Sequence, residues 1–188
     1  MKTVKPADLE RQSRLDPALR FTLLTGPDEA TMAAVANHLV ALAGKDAERL
    51  DLSGSQLAQD PSLLAAEAAS MSLFSSARII RLELSGSGDD SVPAVETLLA
   101  ADTVINPVIA TGASVTAQSK LVKLVEGSNH AVAAICYQPD RRALVGIAMS
   151  AAEEQGLRLA NAEAQLLVDL VSGDQALMRR EIEKMALY

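Results

Sequence analysis

The chain has 188 residues, enough to bury a sizeable core as one domain or two small ones. Its apolar content of 49% excludes a disordered chain, and no apolar run approaches the length of a membrane span. The formal net charge of −7 argues against a strong autonomous phosphate-binding surface, because non-specific nucleic-acid affinity needs clustered Lys and Arg.

Met1 to Asp16 is charged and lacks the apolar segment of a signal peptide. Phe21 to Thr25 reads as a short buried strand that ends at the turn Gly26-Pro27-Asp28. Asp28 caps a helix from Glu29 to about Ala43, on which Met32, Val35, Leu39 and Leu42 follow helical spacing. Arg49 to Leu52 is a weaker second strand, ended by Gly54. Asp60-Pro61-Ser62 starts a helix toward Met71, with Pro61 at its first position. Arg78 to Leu84 is a third strand. Its alternation of Ile80, Leu82 and Leu84 with Arg81 and Glu83 predicts one exposed face.

Val92 to Ala101 reads as a helix, Pro107 to Thr111 as a fourth strand, and Ser119 to Glu126 as a short helix. Ala131 to Tyr137 is a fifth strand, apolar throughout and so expected near the sheet centre. Beyond Pro139 the strand signals stop. Asp140, Asn161 and Asp174 each cap a helix, and Gly156 and Gly173 end the first two. The expected fold is α/β. A five-stranded parallel sheet with covering helices occupies residues 1–138, and a small three-helix domain occupies 139–188.

Metal and thiol chemistry find little support. His38 and His130 have no Cys or His partner at ligand spacing, so no metal site is assigned. Cys136 is the one cysteine. It cannot form an intramolecular disulfide, which fits a reducing cytoplasm, and its apolar surroundings predict a buried structural thiol.

An alternating α/β unit followed by helices is also the outline of an ATPase module with a helical lid. Such a module needs a phosphate loop, G-x-x-x-x-G-K-[ST], whose N–H groups and Lys hold phosphates and whose hydroxyl holds Mg²⁺. The matching place reads Gly26-Pro27-Asp28-Glu29-Ala30-Thr31-Met32-Ala33. Gly26 is present, but Thr31 replaces the second Gly, Met32 the Lys and Ala33 the Ser/Thr. The third strand offers Glu83 followed by Leu84, not an acidic pair for Mg²⁺ and water. Gly173-Asp174-Gln175 is followed by Ala176, where related ATPases often place a nucleotide-sensing Arg. These substitutions predict a degenerate phosphate loop, no cofactor and no catalytic residue.

Met71-Ser72-Leu73-Phe74 is the feature that this scaffold leaves over. The chain has two Phe and no Trp, and one Phe stands beside a Leu between an expected helix and strand. A Leu-Phe pair there forms a compact apolar knob suited to a partner's pocket. Taken alone, such a pair is more often core, because large apolar residues are mostly buried.

The string resembles the clamp-binding element of the delta subunits of the bacterial DNA polymerase III clamp loader. In that family a Ser-Leu-Phe run docks into a pocket on the sliding clamp. Phe21 to Glu29, Asp51 to Leu57 and Asp60-Pro61 resemble further family segments, as do Asn106 to Thr111 and Ser119 to Glu126. Arg180-Glu181-Ile182-Glu183-Lys184-Met185-Ala186-Leu187-Tyr188 resembles the family's closing helix. The pattern is closest to the alphaproteobacterial type.

The resemblance implies a subunit that binds and opens the sliding clamp (the beta subunit) during DNA replication, without hydrolysing ATP itself. It would be a non-catalytic component of a DNA-directed DNA polymerase holoenzyme, a nucleotidyltransferase. The implied clamp-binding residues are Met71, Ser72, Leu73 and Phe74. Other loader subunits would be reached through a collar domain, and DNA only within the full complex. Two departures stand out. Some family members carry a Gln where Ala69 stands here, and the family continues into its collar where this chain ends at Tyr188, as an N-terminal fragment would. The alternatives are an ATP-binding loader ATPase and a helical interaction module in which Leu73 and Phe74 are core.

Overall fold

The computed structural model describes residues 3–72 and 77–187. The chain divides into two compact units, Met1–Tyr137 and Gln138–Tyr188. Among the described residues, the first unit carries strands β1 (Thr3–Val4), β2 (Phe21–Thr25), β3 (Glu48–Ser53), β4 (Arg78–Glu83), β5 (Val108–Gly112) and β6 (Ala131–Ile135). They form one sheet in the order β1-β6-β2-β5-β4-β3. Every pairing is parallel. The helices of this unit are α1 (Pro6–Glu10), α2 (Glu29–Leu42), α3 (Gly54–Gln59), α4 (Leu63–Ala69), α5 (Val92–Ala100) and α6 (Lys120–Gly127).

The sheet has six strands, not the five expected. The added strand β1 pairs with β6 in the register Thr3↔Ala133 and Val4↔Ala134. Two residues in a charged stretch show no period, so the sequence hides it. The strand expected at the centre is β6, and it lies next to the β1 edge. Its continuous apolar character has another cause: both of its faces are covered, and Ala131, Val132, Ala133 and Ala134 are all buried.

Strand alternation sorts the core into two layers. Phe21, Leu23, Val108 and Ala110 pack on one face with Leu57, Leu64, Leu98 and Leu121 from α3 to α6. Leu24, Ile109 and Ala134 pack on the other with Val35, Ala36 and Leu39 of α2 and Leu9 of α1. Met32, Val35, Ala36 and Leu39 are the buried stripe of α2.

The expected helix from Pro61 to Met71 is shorter, and another helix precedes it. Ser53 caps α3 by accepting from the Gln56 N–H, and the Gln56 side chain accepts from the Ser53 N–H at 2.8 Å. The Asp60 carboxylate accepts from the Ser62 N–H at 3.0 Å and the Ser62 hydroxyl at 2.6 Å. That local turn competes with helix formation, so α4 starts at Leu63. It ends at Ala69, which leaves Met71 beyond the helix.

The second unit holds α7 (Arg141–Glu154), α8 (Asn161–Leu170) and α9 (Gln175–Met185). Val145, Ala148, Leu167, Val168, Met178 and Ile182 form its core. Asp140 caps α7 through the Ala143 N–H at 2.7 Å, and Asp174 caps α9 through the Leu177 N–H at 3.0 Å. Asn161 does not cap α8. It is the first helical residue, its side chain accepting from Gln165 at 2.6 Å, while Glu163 reaches back to the Ala160 N–H at 2.7 Å. No helix among the described residues is long and apolar enough to cross a membrane.

Candidate functional site

The place where a phosphate loop would stand is the C-terminal end of β2, flanked by β5 and β6. Only Gly26, Pro27 and Asp28 separate β2 from α2. Glu29 is already helical, so Ala30, Thr31 and Met32 cannot form the wide loop that cradles phosphates. Asp28 is 6% exposed and caps α2. Its carboxylate accepts from the Thr31 N–H at 3.1 Å and from the Thr31 hydroxyl at 2.6 Å. A helix N-terminus attracts anions, and here the chain supplies its own. Met32 is buried in the α2 core layer, and Ala33 has no hydroxyl to offer a metal ion.

Gly26 closes this turn tightly against β6. Its φ is +116°, and an added Cβ would lie 2.3 Å from the Cys136 carbonyl oxygen. The Asp28 N–H donates to the same oxygen at 3.1 Å, and the Cys136 N–H donates to the Thr25 carbonyl at 2.6 Å.

The Cys136 side chain is 1% exposed, and burial, aided by the negative charges of Asp28 and Glu10, pushes its pKa up to about 11. Such a thiol is a weak nucleophile. A disulfide reagent at pH 8 is expected to label native protein far more slowly than urea-unfolded protein. Equal labelling rates would show an accessible thiolate. Because folding raises this pKa, its stabilising contribution is whole below the ordinary thiol value and fades as pH climbs toward 11.

Other nucleotide positions follow the same course. Glu83 is exposed at the end of β4, and Leu84 joins the core. In the second unit Ala176 occupies the first turn of α9, and Arg179, a turn later, lies 3.7 Å from Glu154. Among the described residues, no three His, Cys, Asp or Glu side chains converge as a metal site.

Leu73 and Phe74 lie outside the described residues. Met71 and Ser72 lead into that segment, and Ala77 and Arg78 lead out of it. Met71 is 79% exposed. Ala69 is exposed and carries no polar group. Both ends of the segment border a cavity of about 570 Å³, whose lining includes Met71, Ser72, Ala77, Arg78, Ile105 and Pro107.

A polar cluster sits at these ends. Glu48 and Arg78 open β3 and β4 as direct cross-strand partners. The Arg78 guanidinium donates to Glu48 at 3.0 Å, to Glu67 at 2.9 Å and to the Ser70 hydroxyl at 2.6 Å. The Ser72 hydroxyl donates to the other Glu48 oxygen at 2.5 Å. That bond, followed by the Arg78 interactions, holds the Glu48 pKa below its ordinary value. The Asn106 amide donates to the carbonyls of Glu67 at 2.9 Å and Ser70 at 2.7 Å. Sequence reading missed this cluster. Its one available signal, the opposite charges of Glu48 and Arg78, becomes visible only once the strand register is known.

No protein-family model matches the sequence, and no curated protein matches it significantly. The structure is similar to the DNA clamp loader delta protein of Bacillus subtilis, with a TM-score of 0.70 at 14% identity over 97% of this chain. The chain spans 56% of that protein's length. The similarity shows a clamp-loader-like α/β fold. The FIGL-1 AAA domain in complex with ADP overlaps with a TM-score of 0.47, at 14% identity over 97% of this chain and 65% of that one. A RuvB variant of Thermotoga maritima gives 0.48, at 16% identity over 88% and 54%. Both overlaps are too loose to bear on function.

Proposed function

We propose that this chain is the clamp-binding part of a delta-type clamp-loader subunit, which binds and opens the sliding clamp without hydrolysing ATP. The observation that carries the reading is the position of Ser72-Leu73-Phe74. In a chain with a clamp-loader-like fold, this string falls in sequence after α4 and before β4. The exposed Met71 at its start supports a surface role. In this reading Leu73 and Phe74 fill an apolar pocket on the clamp, and Met71 and Ser72 flank them. Opening follows to the extent that the bound chain fits a distorted clamp interface better than the closed one. The three-helix unit acts as a lid without a nucleotide sensor, and loader partners and DNA are met only in the assembled complex.

The filled turn at Gly26 supports a role without nucleotide. Titration calorimetry is expected to show no Mg-ATP binding at millimolar concentration. The Asp28 carboxylate holds the helix terminus, and Met32 brings no cation to the phosphates. Saturable binding abolished by changes at the Gly26 turn would favour the ATPase reading instead. The clamp reading is tested by passing the chain over an immobilised bacterial sliding clamp from the same organism. Saturable binding supports it, and no binding at any attainable concentration overturns it.

A further inference from the structure

We propose that Arg78, with Glu48, Glu67 and Asn106, is a positioning device that sets the clamp-contacting segment for docking. This rests on the reading of residues 71–74 as the clamp contact. The cluster acts on both ends of residues 73–76. On the entry side, Ser70 is held by Arg78 and Asn106, and Ser72 by Glu48. On the exit side stands Arg78 itself, the first residue of β4 and paired in register with Glu48.

The end of α4 is fixed in the same way. A helix leaves its last carbonyls without intrahelical donors, and solvent usually satisfies them. Here the Asn106 side chain takes the carbonyls of Glu67 and Ser70. The N–H groups of Ile105 and Asn106 both donate to the Ala68 carbonyl at 3.0 Å. The chain therefore leaves α4 in a direction dictated by a neighbouring loop.

Cohesion alone does not require this design. Arg78 is 14% exposed on its side chain, and its Nε is buried with no hydrogen-bond partner. A largely buried cation with an unsatisfied donor is costly, and well-packed apolar residues often stabilise such a place equally well. What charges add is direction. A planar guanidinium shared between two carboxylates and a hydroxyl admits few geometries. Ends that are already anchored lose less freedom on docking, which strengthens binding without any new contact.

The test compares Glu48→Gln and Arg78→Lys with the parent and with the double variant Leu73→Ala/Phe74→Ala. Clamp affinity, melting temperature and amide hydrogen exchange are measured on the full chain. Glu48→Gln keeps the shape and removes the charge, and Arg78→Lys keeps the charge and removes the fork. Each is expected to weaken clamp binding about tenfold through lost pre-ordering. Exchange should accelerate in residues 70–78 while the protein stays folded at the assay temperature, even where the loss of a partner at the guanidinium lowers the melting temperature. Parental affinity in both variants, alongside a double variant that no longer binds, overturns the positioning role and leaves the clamp reading intact. A double variant that binds like the parent overturns both. Weakened binding that only tracks a lowered melting temperature, with no local change in exchange, reduces the cluster to a structural role. Should Arg78→Lys fail to fold, Glu48→Gln decides alone.

Discussion

Replacing Leu73 and Phe74 together by Ala is expected to abolish clamp binding and leave the melting temperature within a few degrees of the parent. Burying two large apolar side chains in a partner contributes roughly 3–6 kcal/mol before association costs, at about 1.5–3 kcal/mol each. Losing that much corresponds to a drop in affinity of roughly a hundredfold to ten-thousandfold. A core pair would behave in the opposite way, since each truncation would cost about 2–5 kcal/mol of stability. Affinity and melting must be read on the same protein, because an unfolded variant also fails to bind. A sharply lowered melting temperature returns the pair to the core. A folded variant that binds undiminished removes the knob from the interface.

Gly26→Ala is expected to be the most damaging single-methyl change in the β2–α2 turn. The added Cβ would meet the Cys136 carbonyl at 2.3 Å, and φ of +116° is unfavourable for any L side chain. Strain and overpacking together should cost about 2–5 kcal/mol, read as a lowered urea midpoint. Relief cannot come cheaply. The obstructing atom is backbone, and moving it would pull β6 from β2, where the Cys136 N–H bonds Thr25. A parental midpoint would show that the turn is not locked in this way. Function enters through the same contact: the residue that begins a phosphate loop elsewhere serves here to seat a strand.

The α/β character was legible in the sequence because apolar runs and capping residues agree. Phe21 to Thr25 is buried at all five positions, and Asp28, Asp140 and Asp174 cap helices where side-chain chemistry expects them. What escaped was short or decided locally. β1 has two residues, α1 has five, and α3 begins at a glycine that reads as a strand terminator. The start of α4 was misplaced because Asp60 turns the chain onto Ser62 and leaves Pro61 outside the helix. The loss of phosphate-loop residues could be read from Thr31, Met32 and Ala33. The Arg78 cluster could not, because it joins residues 30 and 11 positions apart through sheet register and the end of α4. The Leu73-Phe74 pair was found by its string alone and lies outside the described residues.

The most direct test of clamp contact is amide hydrogen exchange on this chain with and without the sliding clamp. Clamp binding is predicted to slow exchange in a block covering residues 70–78, with little change at the β2–α2 turn around Gly26. Slowing confined to other parts of the chain, or no slowing at saturating clamp, would contradict the account.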